Sequence, residues 1–392
     1  MVNKLYAQLG TTIFTVMSGL AREHEAINLG QGFPDEPGPL AVRERAAHEA
    51  IAGDNQYPPM LGLPALRAAV ADHYRRRQGL DLDPAQEVMI TSGATEALAA
   101  AFLALIEPGD EVVLFQPLYD SYLPMVRRAG GRPRLIRLEP PHWRISREAL
   151  ESAFTERTSL VVLNNPVNPT GHIWPDEDLA MLAEFCRRFD AVAVCDEVWE
   201  EVVLEGGRFA PLMSFPGMRG RCVKIGSAGK MFALTGWKVG FLCAAPPLME
   251  LVSRSHQFLT FTTPPNLQAA VAFGLATSEA WFSAMPRRLA ASCERLSAGL
   301  RGEGFDVLTS EATWFLDVGL PASGVVKGDL DFCLQAVREA GVAAIPVSAF
   351  YETDPVTTVI RLCHAKADAT LDEGVRRLAK ARDLARASDR RP

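Results

Sequence analysis

Short apolar runs recur along the chain at Val88 to Thr91, Glu111 to Phe115, Ser159 to Leu163, Ala191 to Cys195 and Cys222 to Ile225. They are too short for helices and continuous rather than alternating, which is the pattern of strands buried on both faces. Two more strands are expected near residues 134 and 239. Helical spacing fills the gaps: Leu63, Leu66 and Val70 form one stripe, Glu96 to Ile106 is rich in Ala and Leu, and Leu179, Leu182, Phe185 and Phe189 form another stripe. Strands alternating with helices predict an α/β fold around a mostly parallel sheet, with functional groups at the strand ends. Farther on, Thr357 to Leu362 alternates like a strand, and Leu371, Val375 and Leu378 predict a terminal amphipathic helix. The basic stretch from Arg376 to Pro392 reads as the solvated face of that helix.

Composition narrows the class. With 392 residues, 48% of them hydrophobic, the chain can bury a full core and suits one large or two ordinary domains. A net charge of -7 argues against a general nucleic-acid partner, because phosphate binding asks for a basic face. Seven scattered cysteines without a C-x-x-C pair fit reduced thiols in the cytoplasm better than a disulfide framework or a metal site. No apolar run reaches membrane length and the N-terminus lacks the features of a leader peptide, so a cytoplasmic protein without a membrane partner is expected.

The strand ends carry the chemistry. Gly226-Ser-Ala-Gly-Lys230 surrounds a lysine with small residues, which let a backbone and a bulky ligand approach its amine. A lysine amine condenses with an aldehyde only while unprotonated, so burial or a neighbouring cation must lower its pKa, and Lys238 is the candidate cation. Ser92-Gly93-Ala94-Thr95 stands between a strand and a helix, where free N–H groups and the helix dipole favour an anion. A plain cap by Ser92 or Thr95 would give the same letters. Asp196 ends a buried strand and needs a partner, which a ligand cation, an ion pair or a cap would each supply. Asp110 and Glu111 are expected to be structural only. No G-x-G-x-x-G follows a predicted strand, which leaves a nicotinamide cofactor without support.

Ser227-x-x-Lys230 followed by Gly236-Trp-Lys238-x-Gly240 resembles the Schiff-base lysine motif of fold-type I, pyridoxal-phosphate-dependent class I aminotransferases. The wording is similar to the branch that contains kynurenine–oxoglutarate, glutamine and methionine transaminases. Asn168-Pro-Thr-Gly171, Asp196 and Arg361, downstream of Ile345-Pro-Val-Ser348, match the family's order as well. The resemblance implies pyridoxal 5'-phosphate as cofactor, with Lys230 as its Schiff-base partner and general base, and Asp196 on the ring nitrogen. It places Tyr119 against the ring, Asn168 on the ring oxygen, and Gly93, Ala94, Thr95, Ser227 and Lys238 toward the phosphate. Tyr57 is expected to reach the cofactor phosphate of the partner in a homodimer. Arg361 would hold the substrate α-carboxylate, with Gly32 closing over it and Phe33 as pocket wall. No arginine lies between Ser255 and Trp281, where dicarboxylate-specific relatives carry one. An apolar side-chain pocket walled by Phe261, Phe315 and Phe350 follows.

The chain departs from the family at position 199, where tryptophan stands in place of a tyrosine that bonds the ring oxygen. An indole N–H donates but cannot accept. Gly229 replaces a frequent serine and Lys238 a frequent arginine, which keeps charge but loses the planar fork. The implied fold is a three-layer large domain, residues 46–285, with a seven-stranded sheet. A smaller α/β domain is made of both termini, residues 1–45 and 286–392. The implied activity is transfer of an amino group from an L-amino acid with an apolar, aromatic or sulfur-containing side chain to a 2-oxo acid. A carbon–sulfur β-lyase using the same residues, or a non-catalytic effector-binding module of this fold, are the alternatives.

Overall fold

The computed structural model describes residues 3–389. Its main sheet has seven strands: β1 (Val88–Thr91), β2 (Glu111–Gln116), β3 (Arg132–Arg137), β4 (Thr158–Asn164), β5 (Val192–Asp196), β6 (Cys222–Ser227) and β7 (Gly240–Ala244). They lie in the order β1-β7-β6-β5-β4-β2-β3. β7 runs antiparallel to both neighbours and every other pairing is parallel. All residues of β1, β2, β6 and β7 are buried, so helices cover both faces and three layers result. The expected strands therefore occur, each within a residue or two of its expected place.

Among the covering helices are α1 (Pro64–Gln78), with Leu66 and Val70 inward, and α2 (Ala94–Leu105), which leaves the end of β1. In α3 (Asp176–Arg188), Leu179, Leu182 and Phe185 are buried, and Phe189 falls just beyond the helix at its C-cap. Three carboxylates in the first turn of α3 suit the positive end of its dipole.

A second sheet, antiparallel throughout, follows the long helix α4 (Glu279–Gly302). Its strands are β8 (Asp306–Val307), β9 (Phe315–Gly319), β10 (Ile345–Pro346) and β11 (Val359–Cys363), in the order β10-β11-β9-β8. The terminal helix α5 (Asp368–Asp389) buries Leu371, Val375 and Leu378, as their spacing predicts; residues 390–392 of the basic stretch lie outside the described residues. The N-terminal part joins this half through a parallel ladder that pairs Ile27 with Val342 and Asn28 with Ala343. Residues 45/46 and 285/286 both fall inside helices, Leu40–Ala52 and α4. Among the described residues no helix is long and apolar enough to cross a membrane, and all seven cysteines are free and buried.

Candidate active site

The carboxyl ends of β1, β4, β5 and β6 converge on a cavity of about 160 Å³. Gly93, Tyr119, Asn168, Asp196, Trp199 and Lys230 line it, with Ala94, Thr95, Ser227 and Lys238 at one end. Convergence of this kind follows from the topology: in a parallel sheet the loops that leave the carboxyl edge meet on one side.

Lys230 sits on the short helix Ala228–Met231 that leaves β6. Desolvation in the cleft pulls its amine down from 10.5 to about 8; Asp196 opposes the shift, and the positive charges of Arg361 and Lys238 reinforce it. Near pH 8 about half of the amine is therefore free base, which an exposed lysine would not be. The Nζ atom lies 4.4 Å from the ring centre of Trp199 and 5.0 Å from that of Trp314.

Asp196 is 4% exposed. The Tyr122 hydroxyl donates to its Oδ2 at 2.5 Å, while Oδ1 is buried with no partner. Burial raises the carboxyl, and the bonds from Tyr122 and the Val198 backbone draw it back. A buried oxygen left open beside a cavity asks for a donor from a ligand. The turn after Asp196 is pinned from behind. Glu197 accepts from Lys224 Nζ at 2.6 Å and from the Leu212 N–H at 3.1 Å. Glu200 accepts from Tyr74 at 2.7 Å, from Gln78 at 2.6 Å and from the same Lys224. Lys224, Glu197 and Glu200 are all buried, so the turn that carries Asp196 and Trp199 is fixed by hydrogen-bonded ions rather than left loose.

At the other end, the N-cap of α2 is Gly93 and no side chain caps the helix, so neither Ser92 nor Thr95 takes the role that the plain alternative gave them. The first N–H groups of α2 stay available to an anion. Gly93 has φ +78°, and a Cβ there would lie 3.0 Å from Lys238 Cε, so only glycine fits. Lys238 Nζ reaches Thr95 Oγ1 at 3.4 Å.

Arg361, in the middle of β11, is 1% exposed. Its Nη1 donates to Asn168 Oδ1 at 2.8 Å and its Nη2 to the Gly30 carbonyl at 2.8 Å, while Nε has no partner. Burial pulls the guanidinium down to about 10 against the pull of Cys363, Asp317 and Asp120. Phe315 lies 3.9 Å beneath it, and Phe14 and Phe350 each stand at 5.3 Å. Above Phe315 passes Gly32, where a Cβ would come within 2.7 Å of the ring. Asp317, in register with Arg361 on β9, has neither oxygen paired. Burial pushes its carboxyl well up, with Arg361 opposing.

A buried lysine, an acid with an unpartnered oxygen and an uncapped helix N-terminus thus share one cavity, with a buried arginine joined to it through Asn168. Residues 24–378 match the family model described as aminotransferase class I and II. The chain belongs to the class I and II aminotransferases. It is 40% identical over 371 residues to the methionine aminotransferase of Escherichia coli, covering 95% of this chain and 96% of that one. Human kynurenine–oxoglutarate transaminase 1 is 34% identical over 395 residues, covering 92% and 93%. The solved structure of N-succinyldiaminopimelate aminotransferase from Mycobacterium tuberculosis superposes with a TM-score of 0.94 at 41% identity, covering 97% of this chain and all of that one.

In this aminotransferase the expected residues fall into three groups. Lys230, Asp196, Asn168, Tyr119, Trp199, Ser227, Lys238 and the turn 93–95 share the cavity. Arg361, Phe315 and Phe350 form a neighbouring cluster under Gly32, joined to the cavity by Asn168. Tyr57 and Phe261 are apart from both: Tyr57 is 85% exposed and meets Phe261 edge-on at 5.8 Å. Within one chain, then, Phe261 packs on Tyr57 and not on the arginine beside Phe315 and Phe350. Phe33 is half exposed, with Lys366 Nζ 4.6 Å from its ring.

Four aminotransferase residues escaped sequence reasoning: Tyr122, Trp314, Phe14 and Lys366. None of the four carried a usable signal; Tyr122, at the start of the helix Tyr122–Ala129, shows its place only through its bond to Asp196 and its ring 5.8 Å from that of Tyr119. Glu111 is paired with Thr155 and Arg157, as a purely structural acid should be.

Proposed function

We propose that this aminotransferase binds pyridoxal 5'-phosphate in the 160 Å³ cavity. It then moves the amino group of an L-amino acid with an apolar, aromatic or sulfur-containing side chain to a 2-oxo acid. The observation that carries this reading is the unpartnered Oδ1 of Asp196 in the same cavity as the Lys230 amine. The residues present fit the group: an acid for the pyridine nitrogen, a ring from Tyr119, the side-chain amide of Asn168, and uncapped N–H groups with Lys238 for the phosphate. When bound, the cofactor supplies the aldehyde and the electron sink.

Lys230 would hold the cofactor and, once free, take the proton from the substrate Cα and deliver it to the carbon that carried the cofactor's aldehyde, for which an amine near 8 suits neutral pH. Asp196 keeps a positive charge on the ring nitrogen. Arg361 binds the α-carboxylate and so fixes the direction of the Cα–H bond, a task for which a planar fork is suited. Phe315 against the guanidinium, and Gly32 against Phe315, keep water from it. Phe14, Phe315 and Phe350 around the arginine support an apolar or aromatic side chain, of which methionine and kynurenine, the substrates named for two relatives, supply one of each.

The working unit in this proposal is a homodimer, with Tyr57 of each protomer completing the other's site. Exposed Ile51, Tyr57, Phe258 and Phe261, of which Tyr57 and Phe261 touch, support it, since large apolar side chains left in solvent mark an interface. The division into residues 46–285 and the two terminal segments, and a cytoplasmic setting suited to seven free thiols, belong to the same proposal.

Incubation with pyridoxal 5'-phosphate followed by borohydride should fix the cofactor at Lys230 and nowhere else. A chain that stays colourless and unlabelled ends the proposal. Loss of the visible absorbance on adding methionine, kynurenine, phenylalanine or aspartate at equal concentration ranks the donors, and aspartate in first place would overturn the apolar assignment.

A further inference from the structure

Trp199 and Trp314 come from different parts of the chain, the pinned turn after β5 and the residue before β9, yet meet edge-to-face with ring centres 4.9 Å apart and planes at 86°. Phe315 closes the third side at 5.4 Å from Trp199. The Lys230 amine faces both indoles, at 4.4 and 5.0 Å, inside the distance at which a ring face attracts a cation. A second cavity of about 540 Å³ lies beyond. Lys230 lines both cavities, Trp199 lines only the smaller and Trp314 only the larger, so the indole pair forms the wall between them at the amine.

The charged groups around that amine do not explain how a cation would be kept there. Asp196 favours it, Arg361 and Lys238 oppose it, and Cys363, whose thiol burial keeps protonated, brings no charge of its own. Across the larger cavity Lys366 is paired with Asp35, Arg288 with Glu36, and Arg295 with Asp368 and Asp372. His364, close by, is kept neutral by burial. An ammonium in an apolar cleft therefore has two indole faces where it would otherwise have water.

We propose that Trp199 and Trp314 act together as an aromatic seat for the Lys230 ammonium, positioning the amine between the two cavities and holding the proton it carries. The proposal rests on the reading of Lys230 as the reacting amine. It gives a use to the tryptophan that stands where the family has tyrosine: the ring face serves the lysine, whatever its N–H does. In the reaction the seat matters after Lys230 has taken up a proton from the substrate Cα, when the new cation must stay within reach. Both indoles are positioning residues, acting through Lys230.

The test uses the full-length chain without cofactor. The pH dependence of Lys230 acylation by a small amine-reactive reagent, read by mass spectrometry of the peptide that contains it, gives the midpoint of the amine. Chains grown with mono-, di- and tetrafluorotryptophan keep the shape of all six tryptophans while draining the negative ring face. The midpoint should fall stepwise with fluorine count, by about one pH unit in total. In Trp199→Phe/Trp314→Phe the fluorine response should vanish, since the remaining tryptophans do not face Lys230. Identical midpoints across the fluorine series, or a response that persists in the double variant, would overturn the seat. Neither result bears on whether borohydride fixes the cofactor at Lys230, so failure of the seat and failure of the underlying reading are told apart.

Discussion

The two halves of the site are prepared in opposite ways. On the side of the main sheet the cavity is open and its key polar groups are unsatisfied: Asp196 keeps one oxygen free, and the N-terminus of α2 is uncapped. On the side of the small sheet Arg361 is almost fully covered, with its two terminal nitrogens already bonded to Asn168 and Gly30. The first half can receive its ligand without rearrangement. For the carboxylate-binding role proposed for Arg361 the second must open, and the segment that touches it there carries Gly30, whose carbonyl holds Nη2, and Gly32, which lies against Phe315. In the proposed reaction preorganisation thus belongs to the cofactor side and gating to the substrate side.

The largest effect should come from the open half. Lys230→Ala removes both the tether and the proton carrier, and turnover should fall by about 10⁴-fold or more, measured with cofactor in excess. Asp196→Asn keeps the shape but not the charge, and kcat should fall by about 10³-fold with a small change in KM. Either variant at near-native rate would break the contrast. In the closed half, Arg361→Lys should lower kcat/KM by about 10²-fold while the cofactor absorbance stays native, because a point charge replaces the fork.

A stability measurement sharpens the picture of that half. His364 follows β11, with Nδ1 3.0 Å from the Ser292 hydroxyl, and burial pulls its imidazole from 6.5 down to about 4. The unfolded chain takes up a proton through that window and the folded chain does not, so stability falls as pH drops from 6.5 toward 4. At pH 5 this group should account for roughly 2 kcal/mol, and His364→Asn should flatten the acid limb of denaturant midpoints by that amount. Gly32→Ala should raise KM about 10-fold, since its methyl must displace Phe315. The smallest effect is expected from Lys366→Met. It frees the covering segment from the bond to the Phe33 carbonyl at 2.8 Å and from Asp35, and should change KM about threefold.

Much of the open half was legible in the sequence because strand ends are punctuated. Asp196, Lys230 and the 93–95 turn each follow an apolar run directly, so local pattern and chemistry coincide. The closed half is assembled from residues far apart in the chain: Gly30, Asn168, Phe315 and Arg361 meet through packing that no spacing records. Tyr122 and Trp314 look like any buried aromatic until their neighbours are known. Phe261 shows the converse within one chain: expected in the wall, it stands against Tyr57 near the surface, on the face proposed to meet the partner.

The segment that covers Arg361 is anchored differently at its two ends. It begins where Asn28 pairs with Ala343 and the Leu29 carbonyl receives the Cys363 N–H, so its start is stitched to the arginine's own sheet. It ends in the helix Leu40–Ala52, which packs on Pro265–Thr277 beside the main sheet. Residues 30 to 39 therefore run as a strap from the small sheet to the helices beside the main sheet, and in the proposed reaction any change in the separation of the two sheets would tighten or slacken it beside Arg361.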